Sequence, residues 1–197
     1  MALHEGIPVR FEGATLETLG PQLRKQLETD ENLFFVGPFG TGKTWAMAAA
    51  ARHWAVQIRQ SGPSPYRAYG PEVFDFIWTT DSSLWAKIRA TWSSHSGPSE
   101  SYLLGTISAC RLLCIDDIGK GAHAAPESYQ TFLYDLVNRR SVSSNKTFLT
   151  SNLDAGEMER LCAAAVDRIR EMCVVIEMTG PSRRTPAGKL TVKEDRK

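Results

Sequence analysis

The segment Gly37-Pro-Phe-Gly-Thr-Gly-Lys43-Thr44 has the residue types and spacing of a loop that binds phosphate groups. It matches the pattern G-x-x-x-x-G-K-[ST], in which glycines let several backbone N–H groups converge on phosphates at the start of a helix. We expect the Lys43 ammonium to contact the β- and γ-phosphates and the Thr44 hydroxyl to bind Mg²⁺. The predicted nucleotide contacts are Gly37, Pro38, Phe39, Gly40, Thr41, Gly42, Lys43, Thr44 and Trp45.

Two acidic residues, Asp116 and Asp117, follow the apolar run Leu112–Ile115. Parallel sheets bind ligands at the carboxyl ends of their strands, so these acids are expected beside the phosphate loop. Asp116 is predicted to hold Mg²⁺, and Asp117 to orient or deprotonate the attacking water. Two acids after a strand can instead begin a solvated loop, but the phosphate loop argues against that alternative. The predicted cofactors are ATP and Mg²⁺, and the predicted reaction is ATP hydrolysis.

The elements that position these residues alternate along the chain. The apolar run Leu33–Val36 predicts a buried strand, and an apolar stripe predicts a helix from about Lys43 to Gln60. A short helix is expected over Pro21–Leu27. Further strands are predicted at Val73–Thr79, Leu112–Ile115, Thr147–Thr150 and Val174–Met178. Strands separated by helices indicate an α/β fold with a parallel sheet.

A helix predicted over 82–92 combines apolar and basic residues, with Asp81 or Ser82 as its N-cap. Trp85 is expected in the core. Lys87 and Arg89 can meet nucleic-acid phosphates while Trp92 offers a stacking face. Packing of Trp92 in the core is the alternative interpretation.

Composition limits the class of protein. The chain has 197 residues, 42% hydrophobic and 23% charged, which fits one α/β domain. Its net charge of +1 gives no overall attraction to nucleic acid, so such binding requires a local patch. No apolar run approaches ~20 residues, the length needed to span a membrane, and the start lacks a signal peptide. A soluble, cytoplasmic protein with buried cysteine thiols is predicted. The loop 61–71 has no predicted role.

These residues resemble the AAA+ ATPases of the DnaC/IstB type, a group of bacterial helicase loaders and transposition helper proteins. The resemblance extends from about Gly6 to Arg184. The segments that carry it are GIPVRF at 6–11, GPFGTGKT at 37–44, LLCIDDIG at 112–119, YQTFLYDLVNRR at 129–140, TSN at 150–152, DRIR at 167–170 and GPSRR at 180–184.

The resemblance implies a P-loop NTPase fold of the AAA+ type, with a five-stranded parallel sheet of order 5-1-4-3-2. It also implies one ATPase domain over 1–184, followed by a polar tail at 185–197. Further, it implies ATP sites shared between the subunits of a homo-oligomer formed in the ATP state.

The same resemblance implies roles for three polar residues. Asn152 matches the sensor that touches the γ-phosphate, whereas a plain turn is the competing explanation from the residues alone. Arg168 matches the arginine finger inserted into a neighbouring site, with Arg170 as a rival and a local ion pair as the alternative. Arg184 matches the second sensor arginine.

The function implied is that of a replicative helicase loader, with Lys87, Arg89 and Trp92 matching a segment that lines a single-stranded DNA channel. A transposition helper acting on duplex DNA with a transposase is the alternative, as is a nucleotide-switched adaptor with little turnover. A small-molecule kinase is disfavoured because its reaction does not require the sensor residues or an arginine finger. Two departures are notable: Asp117 stands where many AAA+ proteins have glutamate, and the separate N-terminal helicase-binding domain usual in loaders is not expected here.

Overall fold

The computed structural model of the chain describes residues 6–62, 74–93, 97–121, 126–143 and 145–183. Arg184 and the predicted tail 185–197 lie outside these residues, as does most of the predicted loop 61–71.

Helices and strands alternate along the described residues. The strands are β1 (Asn32–Val36), β2 (Phe76–Thr80), β3 (Leu112–Asp116), β4 (Lys146–Ser151) and β5 (Cys173–Glu177). The helices are α1 (Pro21–Leu27), α2 (Lys43–Gln60), α3 (Asp81–Ser93), α4 (Glu100–Ala109), α5 (Pro126–Ser141) and α6 (Ala155–Met172), and two short 3-10 segments, Val9–Phe11 and Leu16–Thr18, precede α1. Helix α6 has a kink at Cys162, whose backbone is not helical.

The five strands form one sheet in the order β2-β3-β4-β1-β5, and every neighbouring pair is parallel. Read from the other edge, this is the predicted order 5-1-4-3-2, and the prediction is confirmed. Because all strands run the same way, the loops that follow β1, β3 and β4 meet at one edge of the sheet.

Both faces of the sheet are covered, which explains the continuous apolar runs of the central strands. In β1, Leu33 and Phe35 pack with the alanine-rich side of α2, whereas Phe34 faces the core shared with α3 to α6. Because side chains on both faces of β1 are buried, the position of this strand is fixed. The position at which the phosphate loop begins is therefore fixed as well. The four cysteines are buried, as predicted.

Two local predictions differ from the structure. Helix α4 is absent from the elements predicted above, although Ser99 caps it by accepting a hydrogen bond from the Tyr102 N–H at 3.1 Å. The strand predicted at Val73–Thr79 is observed at Phe76–Thr80, and Val73 lies outside the described residues.

The predicted N-cap of α3 is also wrong. Thr80 accepts the hydrogen bond from the Ser83 N–H at 3.2 Å, and Asp81 is already the first helical residue. The Asp81 carboxylate instead accepts hydrogen bonds from two backbone N–H groups of the loop after β3. Asp81 therefore makes a tertiary contact and does not cap its own helix.

Candidate nucleotide site

The phosphate loop connects β1 to α2 and depends on three glycines with positive φ. Gly37, Gly40 and Gly42 have φ of 140°, 81° and 98°, a region that other residues rarely adopt. A Cβ on Gly37 would lie 2.2 Å from the Met178 carbonyl oxygen, and one on Gly40 would lie 2.1 Å from the Ser182 hydroxyl. The loop is therefore packed tightly against the segment 178–183, which follows β5.

Lys43 is the first residue of α2 and is almost fully buried. Its ammonium donates to the carbonyl oxygens of Gly37 and Pro38, each at 2.7 Å, and so lies within the curve of the loop. An ammonium at this place supplies a concentrated positive charge where the loop N–H groups and the α2 N-terminus also favour an anion.

Asp116 connects three elements through one carboxylate oxygen. Its Oδ1 accepts a hydrogen bond from the Thr44 hydroxyl at 2.9 Å and another from the Thr150 hydroxyl at 2.7 Å. Thr44 lies on α2, Asp116 at the end of β3 and Thr150 on β4. The two residues predicted to bind Mg²⁺ are therefore in direct contact, although they are 72 positions apart in the sequence.

The environment of Asp116 fits a metal cation. Burial raises the pKa of its carboxyl, while the hydrogen bonds from Thr150 and Thr44 lower it, as does the charge of Arg10. A hydroxyl and a carboxylate are the hard oxygen donors that Mg²⁺ prefers, and a nearby dication offsets the cost of a buried negative charge. Thr44 and Asp116 are thus suited to hold Mg²⁺ together.

Asp117 lies beside Asp116 with its backbone in the left-handed region, at φ 64°. Its N–H donates to the Thr150 hydroxyl at 2.8 Å. The Asn152 amide donates to its Oδ1, and the Lys120 ammonium pairs with its Oδ2. Asp117 and Asn152, both predicted site residues, are therefore adjacent, and Lys120 is a contact of Asp117 that the sequence pattern did not indicate.

A cavity of about 570 Å³ is lined by three side chains not predicted from the sequence and by eight predicted site residues: Gly40, Gly42, Lys43, Thr44, Trp45, Asp116, Asp117 and Asn152. Arg10 and Phe11 reach it from the N-terminal segment, with the Arg10 guanidinium 4.7 Å from the centre of the Phe11 ring. Arg183 reaches it from the chain after β5, because its N–H donates to the Gly40 carbonyl at 2.8 Å. Trp45 lines the same cavity, with its ring 6.5 Å from that of Phe11.

Some predicted residues are not part of this cavity. The Phe39 side chain is 61% exposed and lies outside the lining, so only its backbone remains a candidate for phosphate contact. Arg168 lies on the surface of α6 in an ion pair with Glu171 at 2.5 Å, and Arg170 pairs with Glu159 at 2.7 Å. Neither arginine lines the cavity of its own chain, and any role of either at a neighbouring site stays a prediction.

The candidate DNA residues lie on α3 and are only partly exposed. Trp85 is buried as predicted, and its ring forms a T-shaped contact with that of Trp92, with ring centres 5.5 Å apart. Trp92 is still 52% exposed, and its indole N–H donates to Glu100 at 2.7 Å. Arg89 lies over the Trp85 ring at 5.9 Å, and partial burial lowers the pKa of Lys87. Trp92 therefore packs against the core ring of Trp85 while about half of its surface stays exposed.

Among the described residues, no helix is both long and apolar enough to cross a membrane.

Comparison with known proteins reveals relatives at the level of sequence and of fold. No family model matches the chain. It is 29% identical over 147 residues to the replicative helicase loader DnaC of Buchnera aphidicola, a match that covers 73% of this chain and 53% of that protein. The chain thus spans about half the length of the curated relatives it matches.

Solved structures share the fold at lower sequence identity. The crystal structure of the DnaC helicase loader gives a TM-score of 0.63 at 18% identity, covering 87% of this chain and all of that one (100%). The DnaI crystal structure gives 0.58 at 20% identity, over 90% of this chain and 94% of that chain. The replication initiator DnaA, solved with AMPPCP and single-stranded DNA, gives 0.62 at 16% identity, over 86% of this chain and 50% of that chain.

Replacing Asp116 by asparagine separates metal binding from folding. The raised pKa means that the folded chain binds a proton more tightly than the unfolded chain. The ionised carboxylate therefore lowers the free energy of unfolding as the pH rises through the interval from the unfolded pKa to the folded one. At pH 7 without Mg²⁺, we expect Asp116→Asn to leave the urea midpoint unchanged or raised. ATP with Mg²⁺ at about 100 times its Kd stabilises a binding protein by about 2.7 kcal/mol, and the variant should lose the Mg²⁺-dependent part.

Asp135→Asn on α5 is the matched control and should keep the Mg²⁺-dependent stabilisation of the parent. Full retention of that stabilisation in Asp116→Asn would contradict the assignment of Asp116 to the metal.

A paired substitution distinguishes Arg183 from Arg184. Arg183 lines the cavity, so Arg183→Ala is expected to weaken ATP binding about tenfold, in the range of one hydrogen bond to a charged group. Fluorescent-nucleotide displacement by ATP and by ADP measures the effect. Arg184→Ala is the paired variant, because the family resemblance assigns the second sensor to that position, and we expect it to weaken ATP binding less than Arg183→Ala does. The reverse pattern would assign the phosphate contact to Arg184.

The fold and the sequence similarity point to the same relatives. The sheet order and the phosphate loop are those predicted for an AAA+ P-loop domain, and the structural relatives share that fold. The sequence similarity is to DnaC in particular. The chain therefore has the AAA+ P-loop fold, and its resemblance to the DnaC-type AAA+ ATPases is confirmed.

Proposed function

We propose that this chain is an ATP- and Mg²⁺-dependent AAA+ ATPase that serves a replicative helicase as a loader. The observation that carries the proposal is the contact between Thr44 and Asp116 at the mouth of the phosphate loop. Similarity to the DnaC loaders supports the helicase as partner. A single ATPase domain over 1–184 with a polar tail at 185–197, located in the cytoplasm, is part of the same proposal.

Different residues of the chain have different roles in hydrolysis. Lys43 and Arg183 bind the phosphates as cations. Thr44 and Asp116 hold Mg²⁺, which would neutralise negative charge on the phosphate oxygens. Asp117 orients or deprotonates the attacking water, while Asn152 holds the Asp117 carboxylate in place. Because an aspartate reaches less far than the glutamate common in AAA+ proteins, we expect slow turnover.

Arg168 completes the site of a neighbouring subunit in this proposal. Its exposed position on α6 leaves the guanidinium accessible to a second copy of the chain once the pair with Glu171 opens. A guanidinium supplied by a neighbour stabilises developing charge and links hydrolysis to assembly.

Single-stranded DNA is the proposed activator. Lys87, Arg89 and the half-exposed Trp92 lie within two turns of α3, where phosphates can meet the cations while a base stacks on the indole.

Steady-state ATPase activity against protein concentration, with single-stranded or duplex DNA at fixed salt, tests this function. We expect a steep rise with concentration that single strands increase. Stimulation by duplex alone would replace the loader with a transposition helper. A flat, near-zero rate despite tight ATP binding would favour a nucleotide-switched adaptor.

Mixed subunits test the shared site. Lys43→Ala subunits cannot bind ATP but still carry Arg168, whereas Arg168→Ala subunits bind ATP but lack the finger. We expect the mixture to hydrolyse ATP faster than the sum of the two variants alone. The same mixture made with Arg170→Ala distinguishes the two arginines. Normal hydrolysis by Arg168→Ala alone at saturating protein would contradict the trans finger.

Trp92→Ala tests the DNA contact. If a base stacks on the Trp92 ring, affinity for single-stranded DNA should fall by ~1–3 kcal/mol. Fluorescence anisotropy with a labelled oligonucleotide measures it. Tyr102→Ala, which removes another half-exposed aromatic ring on the neighbouring helix α4, is the control. Unchanged affinity in a folded Trp92→Ala variant would assign Trp92 to packing alone.

A further inference from the structure

Asp81 is a buried carboxylate that the proposed chemistry does not use. It is the first residue of α3, is 1% exposed and does not line the nucleotide cavity. Burial raises the pKa of its carboxyl, which means that the folded chain pays a desolvation cost for the charge. Capping of α3 does not explain its presence, because the Thr80 hydroxyl already accepts the Ser83 N–H.

One oxygen of Asp81 collects three hydrogen bonds. Its Oδ2 accepts from the Gly119 N–H at 3.1 Å, the Gly121 N–H at 2.8 Å and the Tyr129 hydroxyl at 2.8 Å. The Gly119 N–H also approaches the Tyr129 oxygen at 3.2 Å. Two of the three donors are backbone groups of the loop after β3, so Asp81 holds that loop directly. Hydrogen bonds to an ionised acceptor are stronger than neutral ones.

Close packing of two side chains also restrains the same loop. A Cβ added to Gly119, whose φ is 98°, would lie 2.3 Å from the Leu153 side chain. One added to Gly121 would lie 2.7 Å from the Tyr129 ring. The loop therefore has little room to move while Asp81 and Tyr129 remain in place.

This loop begins at the carboxylate that we propose for hydrolysis. Asp117 lies two residues before Gly119, and its left-handed backbone directs the side chain towards Asn152. Lys120, between the two glycines, pairs with the other oxygen of Asp117. A shift of the glycine amides would therefore move both Asp117 and its cationic partner.

We propose that Asp81 is a positioning residue for Asp117, acting through the backbone of the loop 117–121. The inference rests on the proposed role of Asp117 in ATP hydrolysis. Since Asp81 begins α3, it also ties this loop to the helix that presents Trp92 at its other end.

Asp81→Asn and Tyr129→Phe test the inference, because each keeps the size and shape of its side chain. Asparagine keeps an acceptor but loses the charge, and phenylalanine keeps the ring but loses one donor. Amide exchange by NMR reports the Gly119 and Gly121 N–H groups directly. Single-turnover hydrolysis and ATP affinity are measured on the same samples. Glu127→Gln, an exposed carboxylate near the start of α5, is the control.

In Asp81→Asn we expect both glycine amides to exchange about tenfold faster and single-turnover hydrolysis to fall about tenfold, the scale of one charge-assisted hydrogen bond. ATP affinity should stay within about twofold of the parent, because no contact of the phosphate loop changes. Tyr129→Phe should show the same pattern with smaller changes, and Glu127→Gln should show neither.

Three results would overturn the inference. Unchanged exchange at Gly119 and Gly121 would show that Asp81 does not hold the loop. Normal hydrolysis despite faster exchange would show that the loop does not position Asp117. Equal losses of affinity and turnover would indicate general damage to the fold. Absence of hydrolysis in the parent would contradict the proposed function itself, and the exchange data would then assign Asp81 to the fold alone.

Discussion

The buried carboxylate of Asp116 is the constraint on which the rest of the site depends. Its Oδ1 accepts hydrogen bonds from Thr44 on α2 and from Thr150 on β4, so one oxygen joins three elements at the carboxyl edge of the sheet. The Thr150 hydroxyl also accepts the Asp117 N–H, which fixes the start of the following loop. A buried charge is costly unless it is hydrogen-bonded or paired with a cation. The two hydroxyl donors satisfy part of this requirement, and in the proposed function a Mg²⁺ ion shares the charge.

The charges around the cavity suit a polyphosphate. Among the described lining residues, Arg10, Lys43 and Arg183 supply three positive charges against the two carboxylates of Asp116 and Asp117. The cations come from the N-terminal segment, the phosphate loop and the chain after β5, so the binding surface forms only when the sheet is complete. Close packing of the loop glycines against residues 178–183 has the same consequence. Nucleotide binding and folding of the carboxyl-terminal segment are therefore coupled in this account.

The sequence predicts those features that depend on local pattern. The phosphate loop and the acidic end of β3 follow from motif spacing. The sheet order follows from the family resemblance alone, and it is confirmed. Contacts between distant segments are not encoded locally. Arg10 and Arg183 enter the cavity only because the segments that contain them pass the phosphate loop. Asp81 has the residue type and position of a helix cap, yet its partners Gly119 and Gly121 are about forty positions away.

In the proposed function, ATP and Mg²⁺ bind between the phosphate loop and Asp116. A crystal structure of the chain with a non-hydrolysable ATP analogue and Mg²⁺ would locate both ligands. We expect the Lys43 ammonium to exchange its bonds to the Gly37 and Pro38 carbonyls for the β- and γ-phosphates. We also expect Thr44 and Asp116 to lie at the metal, directly or through water. An analogue bound elsewhere, or one bound while Lys43 keeps both carbonyl contacts, would rule out this site.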